Sequence, residues 1–247
     1  RVADVVSVTG FILSSMPVGD YDRRVVILSR ELGKIAAFAK GARRPNSHLI
    51  GVTRPFIFGT FEVYRGRDSY TIQKANVTNY FEELVSDLDG VLYGYYFAGL
   101  AEYYGRENLD AADMINLLYV AFKALVNKSL PNELVRYIYE IRLIAVNGEC
   151  PDFFSCAGCG SEKELQLYSY KENGMYCVEC AASSGDGIVL QSSTLYTLQY
   201  IITAPLTKLF NFVVKADVLN ELKKVVNRIE FITFDKHFKS KEMLDIG

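Results

Sequence analysis

The sequence has no apolar run long enough to cross a membrane. A transmembrane helix needs about 18 or more apolar residues in succession, and every apolar stretch among these 247 residues is interrupted sooner. The first residues, RVADVVSVTGF, are amphipathic and lack the basic patch and apolar core of a secretory signal. We therefore expect a cytoplasmic protein that does not enter a membrane.

Motifs for catalysis and nucleotide binding are also missing. The chain holds two histidines, His48 in a polar stretch and His237 near the C-terminus, and the local sequence implies no serine or cysteine nucleophile as the partner of either. Neither the P-loop pattern GxxxxGK[ST] nor a GxGxxG after a strand occurs. We therefore expect that the protein is not an enzyme.

Cysteine is scarce, and its distribution is uneven. The chain has five cysteines, an odd number, and four of them form two CxxC pairs, which makes a disulfide scaffold the weaker interpretation and a reducing compartment the better one. The four follow the pattern C-x2-C-x17-C-x2-C, which is typical of a tetrahedral zinc site. They are Cys156, Cys159, Cys177 and Cys180. The pattern predicts one Zn²⁺ ion, although free thiols without metal remain the alternative.

The segment between the two CxxC pairs supports a zinc site. LQLYSYKENGMY can form a hairpin around Asn173 and Gly174, which would return the second pair to the first. A catalytic zinc keeps one position open, whereas four cysteines close the coordination shell, so we expect a structural role. Cys150 lies outside the spacing and is not expected to be a ligand.

Charge is distributed unevenly along the chain, although the net charge is only −2. Residues 1–80 hold twelve Lys and Arg against six acidic residues, a net of +6, so the remaining fifteen basic and twenty-three acidic residues give −8. A polyanion would be attracted to the first third of the chain and repelled by much of the rest.

The pattern of apolar residues predicts an α+β protein. Five β-rich segments occur in the first eighty residues without a helix between them, which favours a closed barrel such as the OB fold. They are VVSVTGFILSS, RRVVILS, KIAAFA, FIFGTFEVYRG and YTIQKANVTNY. From Tyr80 the apolar spacing becomes helical. We expect an OB-fold domain over 1–79 and a helical domain over 80–247, with a zinc-finger segment at 150–188.

The predicted helical domain contains five long amphipathic segments. Three precede the cysteines, namely FEELVSDLDGVLYGYYFAGLAEYYG, DAADMINLLYVAFKALVNK and PNELVRYIYEIRLIAVNG. Two follow them, SSTLYTLQYIITAPLTKLF and KADVLNELKKVVNRIEFITF. Their broad apolar stripes must be buried against neighbouring helices.

Basic and aromatic residues are interleaved in two parts of the predicted barrel. GKIAAFAKGARRPNSH carries Lys34, Lys40, Arg43 and Arg44, and YRGRDSY carries Tyr64, Arg65, Arg67 and Tyr70. Cations that follow phosphates, with rings on which bases stack, are typical of proteins that bind single strands. Taken one by one, these residues are better explained as ordinary surface charges and half-buried strand tyrosines. Taken together with the net charge of +6 over residues 1–80, they favour nucleic-acid binding.

Four parts of the chain, in this order, carry a resemblance to a known family: VTGFILSSMPVGDYDRRVVILSRELGKIAAFAKGARRPNS, FEVYRGRDSYTIQKANV, GECPDFFSCAGCG with CVEC, and HFKSKEML. In these parts the chain resembles the bacterial RecO recombination mediator family. The resemblance implies an N-terminal OB fold and a helical C-terminal domain with an inserted zinc finger. It also implies binding of single- and double-stranded DNA, annealing of complementary strands and, with RecR, loading of RecA onto single strands covered by the single-strand-binding protein SSB.

The resemblance assigns roles to individual residues. Lys34, Lys40, Arg43 and Arg44 would contact DNA, with Arg24, Arg65 and Arg67 as neighbours, and the four cysteines would hold zinc. The helical domain would receive the acidic, apolar C-terminal tail of SSB, and Lys239 and Lys241 would add cationic surface or belong to a solvated tail. Two alternatives stay open: a zinc-stabilised adaptor that binds only proteins, and a nuclease or other enzyme.

Overall fold

The structure, a computed structural model, describes residues 4–246. The described residues within Arg1–Asn127 and Phe238–Gly247 form one compact unit, called here the barrel unit. Lys128–His237 form the second, called the helical unit. Within the described residues, no helix has the length and apolar character required to span a membrane.

Five strands form a closed barrel at the start of the chain, as the sequence predicted. They are β1 (Val5–Val18), β2 (Asp22–Ser29), β3 (Gly33–Ala39), β4 (Phe58–Arg65) and β5 (Tyr70–Asn79). Neighbours in the barrel follow the order β1-β2-β3-β5-β4, and the strands pair antiparallel except for β3 with β5. Alternate residues such as Val25, Ile27 and Ala37 fill the interior, so their neighbours in sequence point outwards.

The tight connection between β2 and β3 depends on Gly33. Its φ of +65° lies in the left-handed region that favours glycine. A Cβ atom there would lie 2.2 Å from the carbonyl oxygen of Arg106. The connection predicted at RELG is confirmed, and the close approach of a distant segment adds a second reason for the glycine.

Nine helices follow or interrupt the strands in the described chain. They are α1 (Glu82–Ser86), α2 (Gly90–Tyr104), α3 (Ala112–Asn127), α4 (Asn132–Val146), α5 (Val178–Ala181), α6 (Ser192–Thr203), α7 (Leu206–Leu209), α8 (Ala216–Thr233) and α9 (Lys239–Asp245). In the barrel unit, α2 packs against α3, α9 and β1. The C-terminal residues that include Lys239 and Lys241 form α9, in which Lys239 is exposed.

Two segments predicted as single helices are broken. The first, FEELVSDLDGVLYGYYFAGLAEYYG, forms α1, which ends at Ser86, and α2, which begins at Gly90. The second ends at Thr203 and restarts at Leu206, because Pro205 has no N–H to donate within a helix. The predictions over 112–127, 132–146 and 216–233 are confirmed.

An aromatic cluster joins the barrel to the helices of the same unit. Phe11 of β1 packs against Phe122 of α3 with ring centroids 5.4 Å apart, and Phe81 packs against Tyr119 at 5.3 Å. Edge-to-face pairs of this kind add stability beyond the burial of apolar area. The outer face of β1 at Phe11 is therefore buried by α3 and is not available to a ligand.

The helical unit is built on α4, which packs against α6 and α8. Arg142 of α4 donates hydrogen bonds of 2.8–2.9 Å to the carbonyls of Ile201, Ile202 and Ala204, so it satisfies the end of α6. A three-stranded sheet lies between α4 and α6 in the chain. Its strands are β6 (Leu165–Ser169), β7 (Gly174–Cys177) and β8 (Ile188–Val189), in the order β7-β6-β8.

Candidate nucleic-acid surface and metal centre

The turn between β1 and β2 is tied to the segment that follows β3. The Arg43 guanidinium donates to the carbonyl of Gly19 at 3.1 Å, and the Arg43 backbone N–H donates to the carbonyl of Tyr21 at 2.8 Å. The Arg44 guanidinium lies over the Tyr21 ring, 4.6 Å from its centroid. The structure therefore brings two of the predicted cations together around an aromatic ring.

The outer faces of β2 and β3 continue this surface. Arg24 pairs across the strands with Met16 of β1 and with Phe38 of β3. Arg24 is exposed and Phe38 half-buried, while Met16 is 61% exposed. Lys40, which follows β3, is also exposed. Cations and apolar side chains thus alternate across three neighbouring strands.

The turn between β4 and β5 forms the other side of the surface. Arg65 and Arg67 are exposed and, with Ala36, line a cavity of about 240 Å³. Ala36 precedes Phe38 by two residues on the outer face of β3, so this face connects the cavity to Arg24. The register of β1 places Arg65 beside the start of that strand and Arg24 near its end. The cations of the β4–β5 turn therefore lie on one side of the β2–β3 face, and those near the β1–β2 turn lie on the other.

Lys34 has a different environment from the other predicted contacts. Its side chain is half-buried, and its ammonium donates to the carbonyl of Glu102 at 2.8 Å. Glu102 lies in the last turn of α2, where the helix dipole favours a cation. Lys34 therefore holds β3 against α2 within the barrel unit.

The tyrosines differ in their availability to a base. Tyr70 is only 5% exposed, because its ring lies in the barrel core. Its burial raises its pKa more than the Arg65 charge lowers it, and its hydroxyl donates to Glu107 at 3.2 Å. Tyr21 is 49% exposed and Tyr64 36%. Sequence reasoning missed Tyr21, although an aromatic residue in the turn VGDYD directly before two arginines was a usable signal.

The four cysteines of the two CxxC pairs converge. Their sulfur atoms all lie within 4.8 Å of one another, and the Sγ atoms of Cys159 and Cys177 are 3.7 Å apart. Four thiolates about 2.3 Å from a tetrahedral ion would lie about 3.8 Å from each other. The four cysteines can therefore bind one metal ion, and the donor set of four sulfurs suits Zn²⁺ without a position for substrate.

Backbone N–H groups support this cluster. Gly158 and Cys177 donate to the Sγ atom of Cys156 at 3.4 and 3.3 Å. Burial would raise the pKa of Cys156, but these donors outweigh burial and lower it to about 6. Cys156 thus favours the thiolate, the form that binds metal, whereas a hydrogen bond with Cys156 raises the pKa of Cys180 to about 12.

The fold of the finger explains how the pairs meet. The predicted hairpin forms: Asn173, at φ +48°, ends the turn, Gly174 begins β7 opposite Ser169, and β7 then returns Cys177 to the first pair. A Cβ on Gly158 would lie 2.9 Å from the Cys180 sulfur, so the turn within the first CxxC pair requires glycine there. Cys150 is not in the cluster; its burial raises its pKa to about 12, as expected for an unreactive thiol.

Comparison with known proteins gives consistent matches over the chain. Family models described as Recombination protein O N terminal and Recombination protein O C terminal match residues 4–81 and 85–242. A DNA repair protein RecO from Acetivibrio thermocellus is 30% identical over 241 residues, which cover 96% of this chain and 94% of the relative. Proteins of the same name from Oceanobacillus iheyensis and Bacillus subtilis are 28% and 26% identical, each covering 96% of this chain and 92% of the relative.

Proposed function

Because the chain belongs to the RecO family of DNA repair proteins, we propose that it is a DNA-binding recombination mediator that catalyses no covalent reaction. It binds single- and double-stranded DNA in the bacterial cytoplasm, anneals complementary strands and, with RecR, promotes loading of RecA on SSB-coated single strands. The observation that carries the proposal is the basic and aromatic outer face of the barrel. Its cations are Arg24, Lys40, Arg43, Arg44, Arg65 and Arg67.

Electrostatics supports the barrel as the DNA-binding part. A cation beside a phosphate releases counterions from the nucleic acid, which provides much of the free energy of binding at low salt. The excess of basic residues in 1–80, net +6, contrasts with −8 in the rest of the chain. The proposed DNA path therefore stays on the outer face of β2 and β3 and the adjoining turns.

Annealing needs no chemistry on this surface. Two strands repel each other through their phosphates, and neutralisation by the protein lowers that repulsion. Holding the strands close raises their effective concentration, and base pairing then supplies the driving force. The protein's task is to bind strands without covering the base edges that must pair.

For the SSB tail we propose an open groove in the helical unit. The groove has a volume of about 580 Å³, and its lining includes Tyr196, Tyr200, Phe212 and Lys215. Apolar walls with a cation are what an acidic peptide with apolar residues requires. Asp217 lines the same groove, so we expect the apolar walls to contribute more to affinity than the charge of Lys215.

Tyr196→Ser, at a side chain 67% exposed, should weaken binding of the SSB tail peptide without unfolding the unit.

We propose that the four cysteines hold one structural Zn²⁺. When bound, the ion supplies folding free energy to the finger and takes no part in a reaction. The thiolates of Cys156, Cys159, Cys177 and Cys180 would complete its coordination.

The experiment that tests DNA binding is fluorescence anisotropy of a labelled single strand over a series of salt concentrations. We expect tight binding at low salt and a steep negative slope of log affinity against log salt. Absence of binding at low salt would contradict the proposal and favour an adaptor that binds only proteins.

A further inference from the structure

We propose that Tyr21 and Arg44 form a stacking platform for one unpaired base, which gives the barrel a preference for single-stranded over duplex DNA. The proposal rests on the DNA binding proposed above and deepens it, because it names a residue that selects the form of the nucleic acid. It concerns the tip of the barrel, where the β1–β2 turn meets the segment after β3.

The first support is the geometry of the pair. The Arg44 guanidinium is 4.6 Å from the centroid of the Tyr21 ring, within the range of a cation–π contact. A guanidinium plane and an aromatic ring each offer a flat face on which a base can stack. Lysine could supply the charge at this position but not the plane.

The second support is the exposure of the ring. Tyr21 remains 49% exposed although the guanidinium covers part of it. Within the described chain, no carboxylate forms an ion pair with Arg44, so its charge is available to a phosphate or a base. The pair thus presents an exposed aromatic face beside a positive charge.

The third support is that the platform is held in place before any ligand binds. The Arg43 backbone N–H donates to the carbonyl of Tyr21, and the Arg43 side chain donates to the carbonyl of Gly19. The Gly41 backbone N–H donates to the Asp22 carboxylate at 2.7 Å. These bonds join the two segments on both sides of Tyr21, so a base would meet an ordered surface and the entropic cost of binding would be smaller.

The chemistry of the ligand then determines the specificity. Every base has an aromatic face, and in a duplex both faces are covered by neighbouring base pairs. A single strand can turn one base out of its stack onto the platform, whereas a duplex must first be unstacked. Phosphate contacts through Arg43 or Lys40 are available to both forms, so the difference between the forms depends on the platform.

The position of the platform fits a continuous strand path. Arg24 and Phe38 lie on the outer face of β2 and β3, next to Met16 near the end of β1. A strand with one base on Tyr21 would continue along this face towards Arg65. The loops at the two ends of this face are where OB folds bind oligonucleotides.

The test uses three labelled probes of equal length: an oligothymidine, the same backbone with abasic sites, and a duplex. In the full-length protein, Tyr21→Ala should weaken binding of the oligothymidine about tenfold and change duplex and abasic binding by less than about twofold. Tyr21→Phe, which keeps the ring, should bind as the wild type does. Arg44→Lys, which keeps the charge, should lose affinity for the oligothymidine only.

Lys40→Ala is the matched control, since it removes an exposed neighbouring cation without removing the ring or the hydrogen bonds that hold it. It should weaken binding of all three probes alike. If Tyr21→Ala changed the three affinities equally, or changed none of them, the platform would be disproved while DNA binding stood. If the wild-type protein bound no probe at low salt, the proposed function would fail and the platform with it.

Discussion

The Sγ atoms of Cys159 and Cys177 lie 3.7 Å apart, although they are eighteen residues apart in the chain. This separation equals, within about 0.1 Å, the edge of a tetrahedron of four sulfurs around zinc. The hairpin of β6 and β7 produces it by returning the second CxxC pair to the first. The finger is thus folded into the geometry that its metal would require.

We predict that Cys177→Ser reduces the zinc content and lowers the melting temperature of the protein. Loss of one thiolate opens the coordination shell, and metal binding is coupled to folding. Elemental analysis of purified protein measures the first effect, and thermal unfolding the second. Cys150→Ser is the matched control and should retain the metal, since Cys150 lies outside the cluster. Full zinc retention by Cys177→Ser would remove this residue from the ligand set.

Replacing Lys40 and Arg43 together by alanine should weaken DNA binding across sequences alike, because phosphate contacts carry no sequence information. The slope of log affinity against log salt for a single strand should fall in magnitude by about 1.4, or about 0.7 for each contact. Lys223→Ala with Lys224→Ala, on exposed positions of α8, removes the same charge and should leave the slope unchanged. Equal slopes for the Lys40 and Arg43 variant and the wild type would exclude these residues from the surface.

Lys34→Met should affect stability more than DNA affinity. The change removes the hydrogen bond to the Glu102 carbonyl, and we expect a loss of about 1 kcal/mol in the free energy of unfolding. Denaturant unfolding measures this loss, and anisotropy measures the affinity of the same sample. A large loss of affinity with unchanged stability would place Lys34 on the DNA surface instead.

The helical unit contains a buried acidic pair that predicts a pH dependence. Glu140 is fully buried on α4, and the Arg136 Nε atom donates to its Oε1 atom at 2.6 Å. Burial raises the pKa of Glu140 well above its ordinary range, and the Glu230 carboxylate on α8 raises it further, against the lowering by Arg136. The folded protein therefore keeps a proton that the unfolded chain releases above about pH 4.3. This contribution to stability is complete below that pH and is lost as the pH rises towards the raised pKa.

Glu140→Gln should remove this dependence, because glutamine keeps the shape and accepts from Arg136 but does not ionise. The free energy of unfolding of the variant, relative to the wild type, should rise as the pH increases above about 4.3, by at most about 1.4 kcal/mol per pH unit. Denaturant unfolding at several pH values measures it, with Glu162→Gln, an exposed glutamate of the same unit, as the control. Parallel pH profiles for Glu140→Gln and the wild type would contradict the prediction.

Regular local patterns accounted for most of the fold. Alternation of apolar residues located the five strands of the barrel, and helical spacing located α3, α4 and α8. The breaks near Leu88 and at Pro205 were missed because apolar periodicity continues across them while the backbone does not. The last helix was missed because Lys239–Asp245 is short, and its packing against α2 is not visible in its own sequence.

The sequence by itself determined the chemistry that is available: the ligand set of four thiolates and the excess of cations in the first third of the chain. Only the tertiary structure decided which of those cations face solvent. Lys34 and Arg44 belong to one basic block, yet Lys34 bonds to a carbonyl sixty-eight residues away and Arg44 lies on Tyr21. Local sequence cannot separate two such cations, because each environment is created by a different segment that folding brings beside it.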